Sequence, residues 1–214
     1  MKKALLFLLL PAMLALAACN KAVLQDNGCV TEYIRPLNPV GDAAYAKIKT
    51  LFQNNGISYQ GLSFYRADFN DNIPLNGVIN VYQHTVAMQY FNGLPLLNGD
   101  IGYHFMNGVF TTTISPRYSS INIGTGKHLQ LSQVRKLFLD EIQKDGFYAN
   151  RSYKDSCMSA EFGYYNVTPD GPTPTPQFIK AWKITPSGSD YPVAYFRDDD
   201  AAMLSYFNGI FTVN

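Results

Sequence analysis

The sequence predicts an α+β fold in which antiparallel sheets each pack against a helix, arranged as two related units. Three observations predict it. Apolar residues recur at helical spacing in two stretches, 41–55 and 131–144. Between and after them lie alternating runs rich in Tyr and Phe, which suit half-buried strands. Asn-Gly pairs at 92–93, 98–99, 107–108 and 208–209 punctuate those runs with turns. The order helix, strands, helix, strands places the two units at 40–127 and 128–214. With 214 residues, 47% hydrophobic and only 15% charged, the chain can build a full core, and global disorder is excluded. A net charge of +1 lacks the basic excess that a nucleic-acid binder needs.

The first helix is predicted over 41–55. Ala44, Ile48, Leu51 and Phe52 share one face, and Gly56 stops it. Strands are predicted at 59–69, 78–92 and 95–106, and Asn107-Gly108 turns the last into a return strand from Val109 to Ile114. A Gly/Ser/Asn-rich loop at 119–127 leads to the second helix, Leu131 to Lys144. Its N-cap is assigned to Ser132, its stripe to Val134, Leu137, Phe138 and Ile142, and its end to Gly146. Strands follow at 161–168, 177–185, 192–197 and 203–207, the first two separated by the Pro-rich loop 169–176.

The N-terminus reads as an address. Met1-Lys2-Lys3 precedes an uninterrupted apolar stretch from Ala4 to Ala18, the charged and apolar regions of a secretory signal at 1–18. Leu16-Ala17-Ala18-Cys19 then resembles the bacterial lipobox, whose cysteine takes a thioether-linked diacylglycerol. Cleavage there leaves Cys19 as the lipidation site and 19–39, with Pro36 and Pro39, as a lipidated tether. The resemblance implies a bacterial envelope location with a membrane partner reached through acyl chains. In a Gram-negative host, Asn20 implies the outer membrane. The remaining cysteines, Cys29 and Cys157, are an even pair in an oxidising compartment. They are read either as a disulfide or as two buried thiols.

Two stretches carry a recognisable pattern. One runs from Val86 through Gln89, Phe91, Gly93, Pro95 and Gly99 to Gly108. The other holds Ala181-Trp182, then Ala194-Tyr195 to Asp198, then Asn208-Gly209-Ile210. Together they resemble the prodomains of thermolysin-like metallopeptidases, a propeptide motif followed by a PepSY domain. The resemblance implies cystatin-like units. It also implies a free-standing prodomain, because the three histidines make no H-E-x-x-H and the chain stops soon after Gly209. Candidate contact regions on this reading are the loop 92–99, the Pro-rich loop 169–176 and the C-terminal segment 207–214, with Phe91, Gly93, Pro95, Phe207 and Ile210 as candidate partner-binding residues.

No nucleophile, acid–base pair, Walker A or C-x-x-C stands out, so no enzyme activity and no cofactor are expected. His84 and His104 lie in predicted strands and could face each other across a sheet, but no metal is assigned to them. Asp198, Asp199 and Asp200 read as a solvated turn rather than a Ca²⁺ site. The expected function is that of a non-catalytic envelope lipoprotein, a binding module for a secreted peptidase or another envelope protein. It would act in trans as an inhibitor or chaperone-like prodomain. The alternative is an envelope-assembly or glycan-binding accessory lipoprotein, suggested by the surplus of strand tyrosines.

Overall fold

The computed structural model describes residues 29–75, 77–146, 153, 156–168 and 175–210. The leader, Cys19 and the first part of the tether lie outside them, as do residues 169–174 of the Pro-rich loop. The α+β expectation is corrected. The described residues are 43% strand and 15% helix, in two sheets with two helices. The strands run longer than the turn signals suggest, and each helix covers only part of one sheet face.

The first sheet has the order β2-β3-β5-β6, with β2 Leu62–Leu75, β3 Val78–Phe91, β5 Ile101–Met106 and β6 Val109–Ile114; β4, Leu94–Pro95, pairs with β3. The second has the order β1-β7-β8-β9-β10, with β1 Val30–Glu32, β7 Met158–Asn166, β8 Phe178–Pro186, β9 Val193–Arg197 and β10 Met203–Phe207. All pairs are antiparallel except β1 with β7. Each half runs from a helix into an antiparallel sheet, and β1, which precedes the first helix, crosses over to join the second sheet.

β2 extends beyond the predicted end at 69. Asn72 and Pro74 look like breakers in the sequence, but past a register shift between Asp68 and Asp71 both pair regularly with β3, opposite Val81 and Ile79. The predicted strand 95–106 divides into β4 and β5. Gly99 does not need positive φ there; a Cβ would overlap the Leu96 side chain. The β5–β6 hairpin matches expectation, with Asn107 at φ 53 and Gly108 at φ 80.

Helix α1, Asp42–Asn54, buries Ile48 and Phe52 against Phe64, Ala87, Ile101 and Phe105 of the first sheet. Full burial of side chains this size contributes about 2 kcal/mol each. Asn55 fastens the helix end to the hairpin. Its amide donates to the Leu51 carbonyl at 2.8 Å and the Gly108 carbonyl at 2.9 Å, and its oxygen accepts from Phe110 N at 2.8 Å. Helix α2, Leu131–Ile142, buries Val134, Phe138 and Ile142 against Met158, Phe162 and Trp182 of the second sheet. Its cap is Gln130, whose backbone N–H donates to Gln133 Oε1 at 2.8 Å; Ser132 lies inside the first turn.

The tether expectation for 20–39 fails from Cys29 onward. Val30 is buried, and β1 pairs in parallel with Met158–Ala160. Cys29 and Cys157 form a disulfide immediately before these strands, with Cα atoms 4.4 Å apart and a sequence separation of 128. That resolves the open alternative for this pair. The link removes much of the unfolded chain's freedom, worth about 4 kcal/mol or slightly more for so long a loop. Cys29→Ala/Cys157→Ala is expected to lower Tm by roughly 10 °C in calorimetry. Non-reducing peptide mapping of the wild type should recover the two cysteines joined.

Candidate functional site

The five residues singled out for partner contact do not form one patch. Phe91 ends β3 half-buried, packing against Leu96, Ile121 and Tyr164. Gly93 sits at φ 81 in the turn into β4, and Pro95 is buried with its carbonyl against β7. These three build the joint between the sheets. Gly163 of β7 is required there, because any Cβ would overlap the Pro95 carbonyl. Leu97 N donates to the Tyr164 carbonyl at 2.8 Å, and Asn98 and Asn166 exchange side-chain-to-backbone bonds at 2.8 and 2.9 Å. Phe207 lies at the far edge of the second sheet, three strand spacings or roughly 14 Å from β7. Its ring meets Tyr191 edge-on at 5.2 Å. Ile210 is exposed beyond it.

A different place gathers polar chemistry. Met158, Ala160 and Phe162 of β7 point toward α2, so Ser159 and Glu161 point to the opposite, open face. On β8 the register places Thr185 beside Ser159 and Lys183 beside Glu161. The chain leaving β1 brings Tyr33 and Arg35 over this face, and the β8–β9 turn brings Gly188, Ser189 and Asp190. Together they enclose a cleft of about 270 Å³.

Its charges are unequally satisfied. Arg35 holds Glu161 through two parallel bonds, Nε to Oε1 at 3.0 Å and an Nη to Oε2 at 2.8 Å. The Glu161 side chain is only 6% exposed. The bond to Glu161 raises the Arg35 pKa beyond its usual range, against a smaller opposing effect of burial. The guanidinium also lies near the Tyr33 and Tyr65 rings, at 5.8 and 6.0 Å. Tyr65 in turn donates to Asp100 at 2.8 Å, so the first sheet contributes to the wall of the ion pair. Lys183, half-buried on the same face, has no ion pair or hydrogen bond with any described residue. Sequence reasoning missed this cleft, since Arg35 and Glu161 are 126 residues apart and neither belongs to a motif.

The three-aspartate turn is not the solvated turn that the sequence suggests, because its first carboxylate is buried. Asp198 is fully buried and accepts from Trp182 Nε1 at 3.0 Å and from the backbone N–H groups of His128 and Leu129, the nearest at 2.9 Å. Lys180 Nζ lies 3.3 Å from Asp198 and 3.5 Å from Asp199. Although His128, Asp198 and Asp199 bring ligand atoms together, that ammonium already supplies the positive charge. Asp200 turns away to Arg197. The carboxylate thus ties the start of α2 to β8, and Trp182 is core, as its type suggests. His84 and His104 do face each other, as Cα partners on β3 and β5.

Burial pushes the Asp198 carboxyl up, but the bonds from Leu129, His128, Trp182 and Lys180 outweigh it and hold the pKa below the usual carboxylate range. A depressed folded pKa stabilises the protein above the unfolded carboxyl's titration near pH 4, and that stability is lost as pH falls through the lower folded value. Asp198→Asn is expected to cost about 2 kcal/mol at pH 7 and to flatten the acid limb of the stability–pH curve below pH 4, as read by urea unfolding. Compared with family models, with curated proteins and with solved structures, the chain finds no match.

Proposed function

We propose that this chain is a non-catalytic, lipid-anchored protein of the bacterial cell envelope that binds an extended, acidic segment of another envelope protein. The anchor rests on the leader and on Leu16-Ala17-Ala18-Cys19. The binding role rests on one observation: the cleft holds Lys183, a half-buried cation with no ion pair or hydrogen bond among the described residues, beside an Arg35–Glu161 pair that is already closed. Closing that pair within the fold leaves Lys183 as the group whose charge an incoming carboxylate would neutralise. Ser159 and Thr185 supply hydroxyls that can donate to the same anion. The resemblance to peptidase prodomains makes a secreted peptidase the first partner to test, with the protein acting in trans.

A glycan ligand is the second reading. Tyr33 on the cleft wall and Tyr191 beside Asp190 are 43% and 41% exposed, and flat, wettable rings of this kind stack on sugars.

The test is a crosslinking pull-down from the native envelope, with the mature domain lacking Cys19 as bait. A secreted peptidase or other envelope protein should be captured by the wild type and lost with Lys183→Glu. Equal capture by both forms would rule out the cleft. Oligosaccharide binding that Tyr33→Ala abolishes, with no protein captured, would replace the first reading by the second.

A further inference from the structure

Sheet register places Asp68, His84, His104 and Thr112 in one row across β2, β3, β5 and β6, since each is the Cα partner of the next. Directly paired residues share a sheet face. The neighbouring row, Ala67, Thr85 and Tyr103, packs toward α1, so the histidine row lies on the face away from that helix. The two imidazoles are half-buried and meet with Nδ1 atoms 2.5 Å apart and ring centroids at 4.7 Å. His104 Nε2 is buried and has no hydrogen-bond partner. Gly102 stands beside that ring, and a Cβ at 102 would come within 3.4 Å of Nε2. The glycine keeps the space around the pair open.

The geometry points to a divalent transition-metal site, of the Zn²⁺ or Cu²⁺ class, with His84 and His104 as nitrogen ligands; Asp68 lies in the same row on the next strand, as a carboxylate that would have to swing in to reach the ion. Imidazole nitrogen suits these ions, whereas Ca²⁺ and Mg²⁺ require oxygen. Metal–nitrogen bonds of about 2.05 Å at a tetrahedral angle need the two Nδ1 atoms roughly 0.85 Å farther apart than they stand, an adjustment that small side-chain rotations supply. Only one proton fits between the two nitrogens. A bound ion replaces that shared proton, which moves to an outer Nε2 or to solvent. Asp68 pairs with Arg66 at 2.9 Å on the exposed surface, a solvated pair that its carboxylate can exchange for the ion. Solvent completes the coordination from the open side.

The test titrates Zn²⁺, and separately Cu²⁺, into chelator-stripped, tag-free mature protein by calorimetry, with Cu²⁺ spin resonance as a second readout. The expected result is one saturable site whose copper spectrum shows coupling to two nitrogens. His84→Gln and His104→Gln should each weaken binding by at least about 10-fold, the loss that even an outer-shell partner commonly causes. Asp68→Asn should weaken it less, and His128→Ala should leave it unchanged. Circular dichroism identifies any variant that fails to fold, and Gly102→Val, which crowds the pair without removing a ligand, then serves as the replacement and should also weaken binding. Binding unchanged in His84→Gln/His104→Gln, loss only in His128→Ala, or no saturable site below about 1 mM would overturn the assignment.

Discussion

The parallel pairing of β1 with β7, locked by Cys29–Cys157, is the constraint on which the rest depends. It carries the chain's first described residues across to a sheet whose other strands begin 128 residues later. Everything between them becomes a closed excursion that must leave the second sheet and return to it. The pairing also sets the register of the residues after β1. Tyr33 N donates to the Ala160 carbonyl at 2.7 Å, which places Arg35 over Glu161. Without that strand, Glu161 would be a buried carboxylate lacking its cation, an arrangement costing several kcal/mol.

The sheets are coupled by a short joint. The chain from Leu94 to Asn98 pairs with β3 through its first two residues and with β7 through its last ones. It approaches β7 so closely that only glycine fits at 163. Leu96, Ile121 and Tyr164 form a small third core around the joint, and Tyr164 Oη donates to the Ile123 carbonyl at 2.8 Å. This explains why turn-type residues such as Gly93 and Pro95 cluster here: they shape a connection rather than present a surface.

Features governed by local chemistry were legible in the sequence. Helical spacing located both helices within two residues, and Asn107-Gly108 located its hairpin, because periodicity and positive φ act within a few residues. The cysteine pair was legible as one of two alternatives, because compartment and parity bear on it. The fold class was not. Three residues of β1 carry no period, and the extension of β2 through Asn72 and Pro74 depends on a partner strand that tolerates a bulge. The cleft was hidden for a similar reason. Arg35 reads as part of a tether and Glu161 as an ordinary strand residue until the disulfide brings them together.

The two buried carboxylates show how function separates from structure on one sheet. Asp198 collects two backbone N–H groups, an indole and an ammonium, and its charge has nothing further to recruit. It holds α2 against β8. Glu161 is neutralised by a single bidentate arginine, and the register places Lys183 beside it, on the adjacent strand. A lysine exposed to bulk water would be fully hydrated and uninformative. At half burial, in a walled cleft, its charge is less screened and an incoming anion gains more from meeting it. The same sheet thus carries a closed electrostatic set facing its helix and an open one facing solvent, and only the open set can add affinity for a partner.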